Sequence, residues 1–207
     1  MNGPRRPRWT FFGLGLLAGV LALGAVRFAV ARPAPITHYH ANWAIVVDGA
    51  PLDLSAARYM EDVARCKADP THMDPQDRVH LHERVGDAVH VHAGGATWGH
   101  LLANLGFALG RDWLVTDAGV RYESAPPRTL KFVLNGQPVA EVHNRTIRST
   151  DRLLISYGAE PLDSVVRTQF PRVASTAARL NTLPDPASCS GPAEPTLPDR
   201  LRQAFWR

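Results

Sequence analysis

The sequence predicts an α+β protein in which an N-terminal transmembrane helix precedes a mixed β-sheet with one helix packed on its face. Three observations lead there. An uncharged, largely apolar run extends from Trp9 to Val26, close to the roughly 20 residues a helix needs to cross a bilayer. Short strand-like runs recur at 42–47, 79–83, 89–93, 131–134, 139–142 and 153–157, several of them bounded by turn residues. Between them, 97–105 places apolar residues at helical spacing.

The apolar run follows Arg5, Arg6 and Arg8 and is closed by Arg27 and then Arg32-Pro33. Two readings are open, an uncleaved anchor and a signal peptide cut after Ala29-Val30-Ala31, which has the small-x-small form of a cleavage site. The length of the run, and Arg27 between it and that site, favour the anchor. Arginines ahead of the run put the N-terminus inside in both cases, so residues from about 33 onward are expected outside the cytoplasm. The resulting order is a basic cytoplasmic stub with anchor or signal peptide (1–32), a histidine-rich extracytoplasmic α+β domain (33–160) and a proline-rich tail with short helices (161–207). The localisation expected is a single-pass protein of the cell membrane, or a secreted or periplasmic one after cleavage near Ala31.

Within the exported part, 42–47 reads as a strand leading through the Asp48-Gly49 turn signal to 51–54. Ser55 can cap a helix reaching about Cys66, with Tyr59, Met60, Val63 and Cys66 at helical spacing. A hairpin is expected from 79–83 and 89–93, turning at Val85-Gly86-Asp87. Thr97 caps the helix carrying Trp98, Leu101, Leu102 and Leu105, and Gly106 stands where a left-handed residue ends it. A second hairpin crosses Asn135-Gly136, the strongest short turn signal in the chain, and a strand at 153–157 follows Asp151. Hairpin, helix, hairpin and final strand form the order of a β-grasp, or ubiquitin-like, sheet.

The segment Thr97-Trp98-Gly99-His100-Leu101-Leu102 with Leu105-Gly106 resembles the helix of small ubiquitin-like sulfur carriers. Val133-Leu134-Asn135-Gly136-Gln137-Pro138-Val139 and Asp151-Arg152-Leu153-Leu154-Ile155 resemble their closing strands. The chain is also similar to membrane-anchored, histidine-rich bacterial and archaeal proteins with a β-grasp core. The resemblance implies the fold alone. Sulfur carriers need a free C-terminal Gly-Gly for activation, and here residues 159–207 follow Gly158.

The tail is broken by Pro161, Pro171, Pro184, Pro186, Pro192, Pro195 and Pro198, leaving room for short helices near 173–180 and 198–205. It is expected to be partly ordered, its last segment either docking on the domain or fraying, with contact to a membrane surface as the alternative. Cys66 and Cys189 are the only cysteines. Outside the cytoplasm they can pair and tie the tail to the domain, or remain separate thiols.

Nine histidines occur among 207 residues, and six fall in three His-x-His pairs: His38 and His40, His80 and His82, His90 and His92. In a strand, residues two apart share a face, so each pair sets two imidazoles side by side. Val79 and Leu81 should face the helix with Val89, Val91 and Ala93, which turns His80, His82, His90 and His92 to the other, exposed face. A three-residue turn would set His82 opposite His90 and His80 opposite His92, within reach of one ion. His38 and His40 precede the strand at 42–47, which can join the sheet and add two more nitrogens.

Neutral imidazole suits zinc, copper(II) and nickel, and a nitrogen-rich set with few carboxylates points away from calcium and magnesium. In an exported protein copper or zinc is the natural ion. The metal-ligand candidates are therefore His80, His82, His90 and His92, followed by His38 and His40. Structural histidines, or a cluster responding to pH, are the competing readings, and they fit an anchored protein-interaction module. Nucleic acid is not implied, because the formal charge of +4 comes without a basic stripe interleaved with aromatics. The partners expected are the membrane, through the N-terminal helix, and an exported metalloprotein or membrane complex.

No nucleophile elbow, phosphate loop or dinucleotide fingerprint is present. Glu141 and His143 form a short polar pair at a strand end. A cupin also uses His-x-His with a later Glu, but Glu83 follows His82 directly and the framing glycines are missing. A binding module is therefore expected ahead of an enzyme.

Overall fold

The computed structural model describes residues 8–30, 37–61, 78–183 and 197–206. The chain divides into two compact units, Ile36–Gly191 and a second made of Met1–Pro35 with Pro192–Arg207. The expected α+β architecture is present, with an apolar N-terminal helix and a mixed sheet.

In the second unit, α1 (Arg8–Val30) is a 23-residue helix. At 1.5 Å per residue it is about 34 Å long, against roughly 30 Å of bilayer hydrocarbon. The stretch Phe12–Ala29 is long and apolar enough to cross a membrane. The candidate cleavage site extends to Ala31, which lies outside the described residues.

The larger unit is built on β1 (Tyr39–Val47), β2 (Ala50–Pro51), β3 (Val79–His80), β4 (Ala88–Val91), β8 (Thr129–Leu134), β9 (Gln137–Val139) and β10 (Arg152–Gly158), in the order β3-β4-β1-β10-β8-β9 with β2 pairing β1. A short three-stranded sheet of β5 (Ala108–Leu109), β6 (Trp113–Val115) and β7 (Arg121–Glu123) stands apart. The segment at 42–47 is therefore central: β1 lies parallel to β10, with Ile45 beside Ile155, and antiparallel to β4. Parallel strands cannot be joined by a tight turn, and the chain from β1 to β10 carries everything else in this unit's sheets.

Alternation gives β1 two different faces. Ala41, Trp43 and Ile45 enter the main core with Val79, Leu81, Val89, Val91, Leu153 and Ile155. Helix α2 (Trp98–Asn104) contributes Trp98, Leu101 and Leu102 to that core, each such side chain stabilising by roughly 1.5–3 kcal/mol when fully buried. Thr97 caps α2 as the sequence indicates, and His100 completes a capping box by accepting from the Thr97 backbone N–H at 3.2 Å. Gly106 ends the helix at φ +79, in the left-handed region that favours glycine. Asn135 and Gly136 both have positive φ, the geometry of the expected hairpin turn.

The opposite face carries a second core of Val46, Val133, Leu154, Val165 and Val173. Its outer half comes from the proline-broken stretch, through α3 (Leu162–Ser164), a π turn at Val165–Gln169 and a 3-10 turn at Phe170–Arg172. Buried Asn42 then pins α4 (Ala177–Leu180): its Oδ1 accepts from the Ala177 backbone N–H at 2.8 Å and its Nδ2 donates to Thr176 Oγ1 at 3.0 Å. The tail up to 183 is thus packed on the sheet, more ordered than its prolines suggest, because its valines complete a hydrophobic layer.

One local expectation changes. The helix anticipated from Ser55 is a single 3-10 turn, Ala57–Tyr59. Ser55 instead bonds Asp53, and Met60 is extended, bridging Leu81 while the Glu61 N–H donates to the Leu81 carbonyl. Sheet pairing here outcompetes helical spacing. Residues 62–77, with Cys66 and His72, lie outside the described residues, as does Cys189.

The last helix, α5 (Leu197–Trp206), belongs to the unit containing α1 and packs against it.

Candidate metal centre

All six paired histidines lie on one face of β1, β3 and β4 or their immediate extensions. His40 pairs with His90 across β1/β4, and His80 pairs with His90 across β3/β4. Three strands therefore place His40, His90 and His80 in a single row, with His38, His92 and His82 each two residues from a member of it. The expected register put His82 opposite His90, so the real pairing is displaced by two residues. A two-residue displacement keeps parity, and the six imidazoles stay together.

The displacement comes from the turn. Glu83 and Arg84 both have positive φ, and the Val85 N–H donates to the His82 carbonyl, so the chain reverses at 82–85. Residues 86 and 87 then run back over Trp43, whose Nε1 donates to the Gly86 carbonyl at 3.0 Å. Gly86 is required there, since a Cβ would overlap the Leu54 backbone.

His90 is the hub. Its ring centroid lies 4.8 Å from His38, 5.0 Å from His40, 4.9 Å from His80, 4.8 Å from His82 and 5.8 Å from His92. The His80 ring stacks on it at an interplanar angle of 9°. The face is not exposed as the alternation suggested: His40, His80, His90 and His92 are buried. Burial above all, with the neighbouring imidazoles of His80, His82, His40 and His38, holds the His90 pKa far below its ordinary value. His90 is neutral at physiological pH, the state a metal requires.

Hydrogen bonds orient two of the rings. The Asn181 Oδ1 accepts from the His40 backbone N–H at 2.6 Å and from His40 Nδ1 at 3.0 Å, so His40 carries its proton on Nδ1 and points Nε2 away from Asn181. Asn181 is itself held by donation from its Nδ2 to Ser149 Oγ. His82 Nε2 and His90 Nδ1 share a hydrogen bond of 2.9 Å. When His90 Nδ1–H donates, a lone pair is left on His90 Nε2. Beyond His82, the Glu83 carboxylate lies 3.7 Å from His82 Nδ1, and Glu61 lies 3.7 Å from His80 Nδ1 while accepting from Asn104 Nδ2.

Among the described residues, His38, His40 and His90 form a cluster whose ligand atoms all lie within 4.8 Å of one another. The Nε2 atoms of His38 and His90 are buried with no hydrogen-bond partner among the described residues. Around a tetrahedral ion with bonds of about 2.0–2.1 Å the ligand nitrogens stand roughly 3.3 Å apart. The cluster therefore fits an ion with a contraction of at most about 1.5 Å, within side-chain movement. It can hold a metal ion. Of the sequence candidates, His80, His82 and His92 surround this trio, and the pair ranked last, His38 and His40, supplies two of its three members.

Sequence reasoning missed Asn181, Glu61 and Asn42, because no spacing marks them: Asn181 is 141 positions from His40. Glu141 and His143 approach to 3.9 Å on a partly exposed edge. Comparison with family models, curated proteins and solved structures returns no match.

Proposed function

We propose that the chain is a membrane-anchored protein whose extracytoplasmic β-grasp-like domain binds one divalent transition metal, copper or zinc, in its histidine layer, for buffering or for delivery to an exported metalloprotein. His38, His40 and His90 are the first ligands, and His80, His82 and His92 are either further ligands or the layer that orients them. The carrying observation is the pair of buried, unbonded Nε2 atoms on His38 and His90 beside His40. An unsatisfied buried polar atom costs about 1–3 kcal/mol, which a coordinated ion would offset. Asn181 on His40 and His82 on His90 support the reading, since metal-ligating imidazoles usually bond their second nitrogen to a partner that sets the tautomer.

The β-grasp reading is supported by the β4-β1-β10-β8-β9 order with its parallel central pair. The anchor reading is supported by the length and apolar character of α1 and by the arginines before it.

Calorimetric titration of the detergent-solubilised full chain with copper(II) and with zinc tests the metal site. The wild type should bind one ion stoichiometrically. His38→Ala with His90→Ala should lose more affinity than the roughly 10–100-fold that outer-shell changes cost. A folded wild type that binds neither ion overturns the proposal.

A further inference from the structure

From Phe12 to Ala29 every residue of α1 is exposed except Gly24, which is buried, and Phe28, which is half-buried. Both meet α5. A Cβ at Gly24 would overlap the Phe205 ring, and the Arg200 guanidinium lies 4.4 Å over the Phe28 ring. Ala204 is buried beside them at 2 % exposure. Gly24 is therefore a notch, and the apolar stripe of α5 enters it.

That stripe outruns the notch. Leu197 and Leu201, at helical spacing from Ala204 and Phe205, remain 62 % and 42 % exposed, while Arg200 and Arg202 flank them. Leucines on one side and arginines beside them make the pattern of a helix lying in a membrane interface. Gly24 is six residues from the end of α1, or roughly 9 Å, which matches the roughly 5–10 Å depth at which such helices bury their apolar face.

We propose that α5 is an interfacial helix, seated against α1 in the outer leaflet with Leu197 and Leu201 in lipid, and that α1 is therefore retained in the mature chain. Cleavage after Ala31 would remove the surface that buries Ala204 and half-covers Phe205. The chain is then tied to the membrane at both ends. This inference rests on the reading of α1 as a membrane-crossing helix.

The test uses the full chain in its native membranes with a photo-crosslinking phenylalanine analogue at Phe205, followed by intact-mass measurement and peptide mapping. The chain should retain residues 1–31, and the probe should crosslink to α1 near Gly24. Gly24→Leu, which fills the notch and leaves the anchor apolar, should reduce that crosslink severalfold. A whole chain in the soluble fraction sinks the membrane reading itself. A membrane-bound chain that begins at Arg32, or whose probe reaches only residues 36–183 or nothing, overturns the docking alone.

Discussion

Acidifying the metal-free protein should destabilise it through His90. This imidazole is fully buried and faces His38 and His40 from the start of β1, His80 and His82 from β3 and its turn, and His92 just past the end of its own strand. Glu61 stands behind His80 and Glu83 behind His82. Its ordinary pKa of 6.5 is driven far down in the folded state, first by burial and then by the other imidazoles. Well above pH 6.5 neither the folded nor the unfolded chain protonates this group, so its full contribution is present. Below 6.5 the unfolded chain takes a proton that the folded one refuses, and stability falls by about 1.4 kcal/mol per pH unit. From pH 6.5 to 4.5 His90 alone should remove about 2.3 kcal/mol, a large part of the roughly 5–15 kcal/mol that holds a domain together. Urea unfolding of the detergent-solubilised chain, followed by tryptophan fluorescence at stepped pH, measures the slope. His90→Gln, without a titrating group, should flatten it by that amount. Equal slopes in the two proteins would refute the reasoning.

Three further outcomes are expected. Asn181→Leu removes the acceptor that fixes the His40 tautomer, so calorimetry should show metal affinity about 10–100-fold weaker, while Asn181→Asp, which keeps an acceptor oxygen, should lose less. Leu154→Ala opens a cavity between the sheet and the Val165–Val173 layer, and chemical denaturation should register a loss of about 2–5 kcal/mol. If the tail does not pack there, the loss will be small. Gly136→Val forces a β-branched residue to φ +80 in the second hairpin, which should lower stability by at least about 1–2 kcal/mol without changing metal affinity, because the turn lies on the opposite side of β10 from the histidine strands.

Much was legible in the residues because it depends on period alone. The His-x-His pairs share one face whatever the pairing partner, provided the register shift is even, so the gathering of six imidazoles survived a two-residue error in the hairpin. The Asn135-Gly136 turn, the Thr97 cap and the Gly106 stop are short-range effects and appeared where the sequence put them. Short range also explains the failure at Ser55: Tyr59 and Met60 have helical spacing, but the extended backbone at Met60 is held by Leu81, about 20 positions away.

The sequence by itself determined the kind of elements, the face on which the histidines stand and the apolar helix at the N-terminus, since each follows from local periodicity, turn chemistry or composition. Only the tertiary structure decided that β1 lies between β4 and β10, that the histidine face is buried, that Asn181 orients His40 and that α5 seats against Gly24. Those features depend on segments that meet across much of the chain, where contact is set by which apolar faces can be covered together and not by any spacing along the sequence.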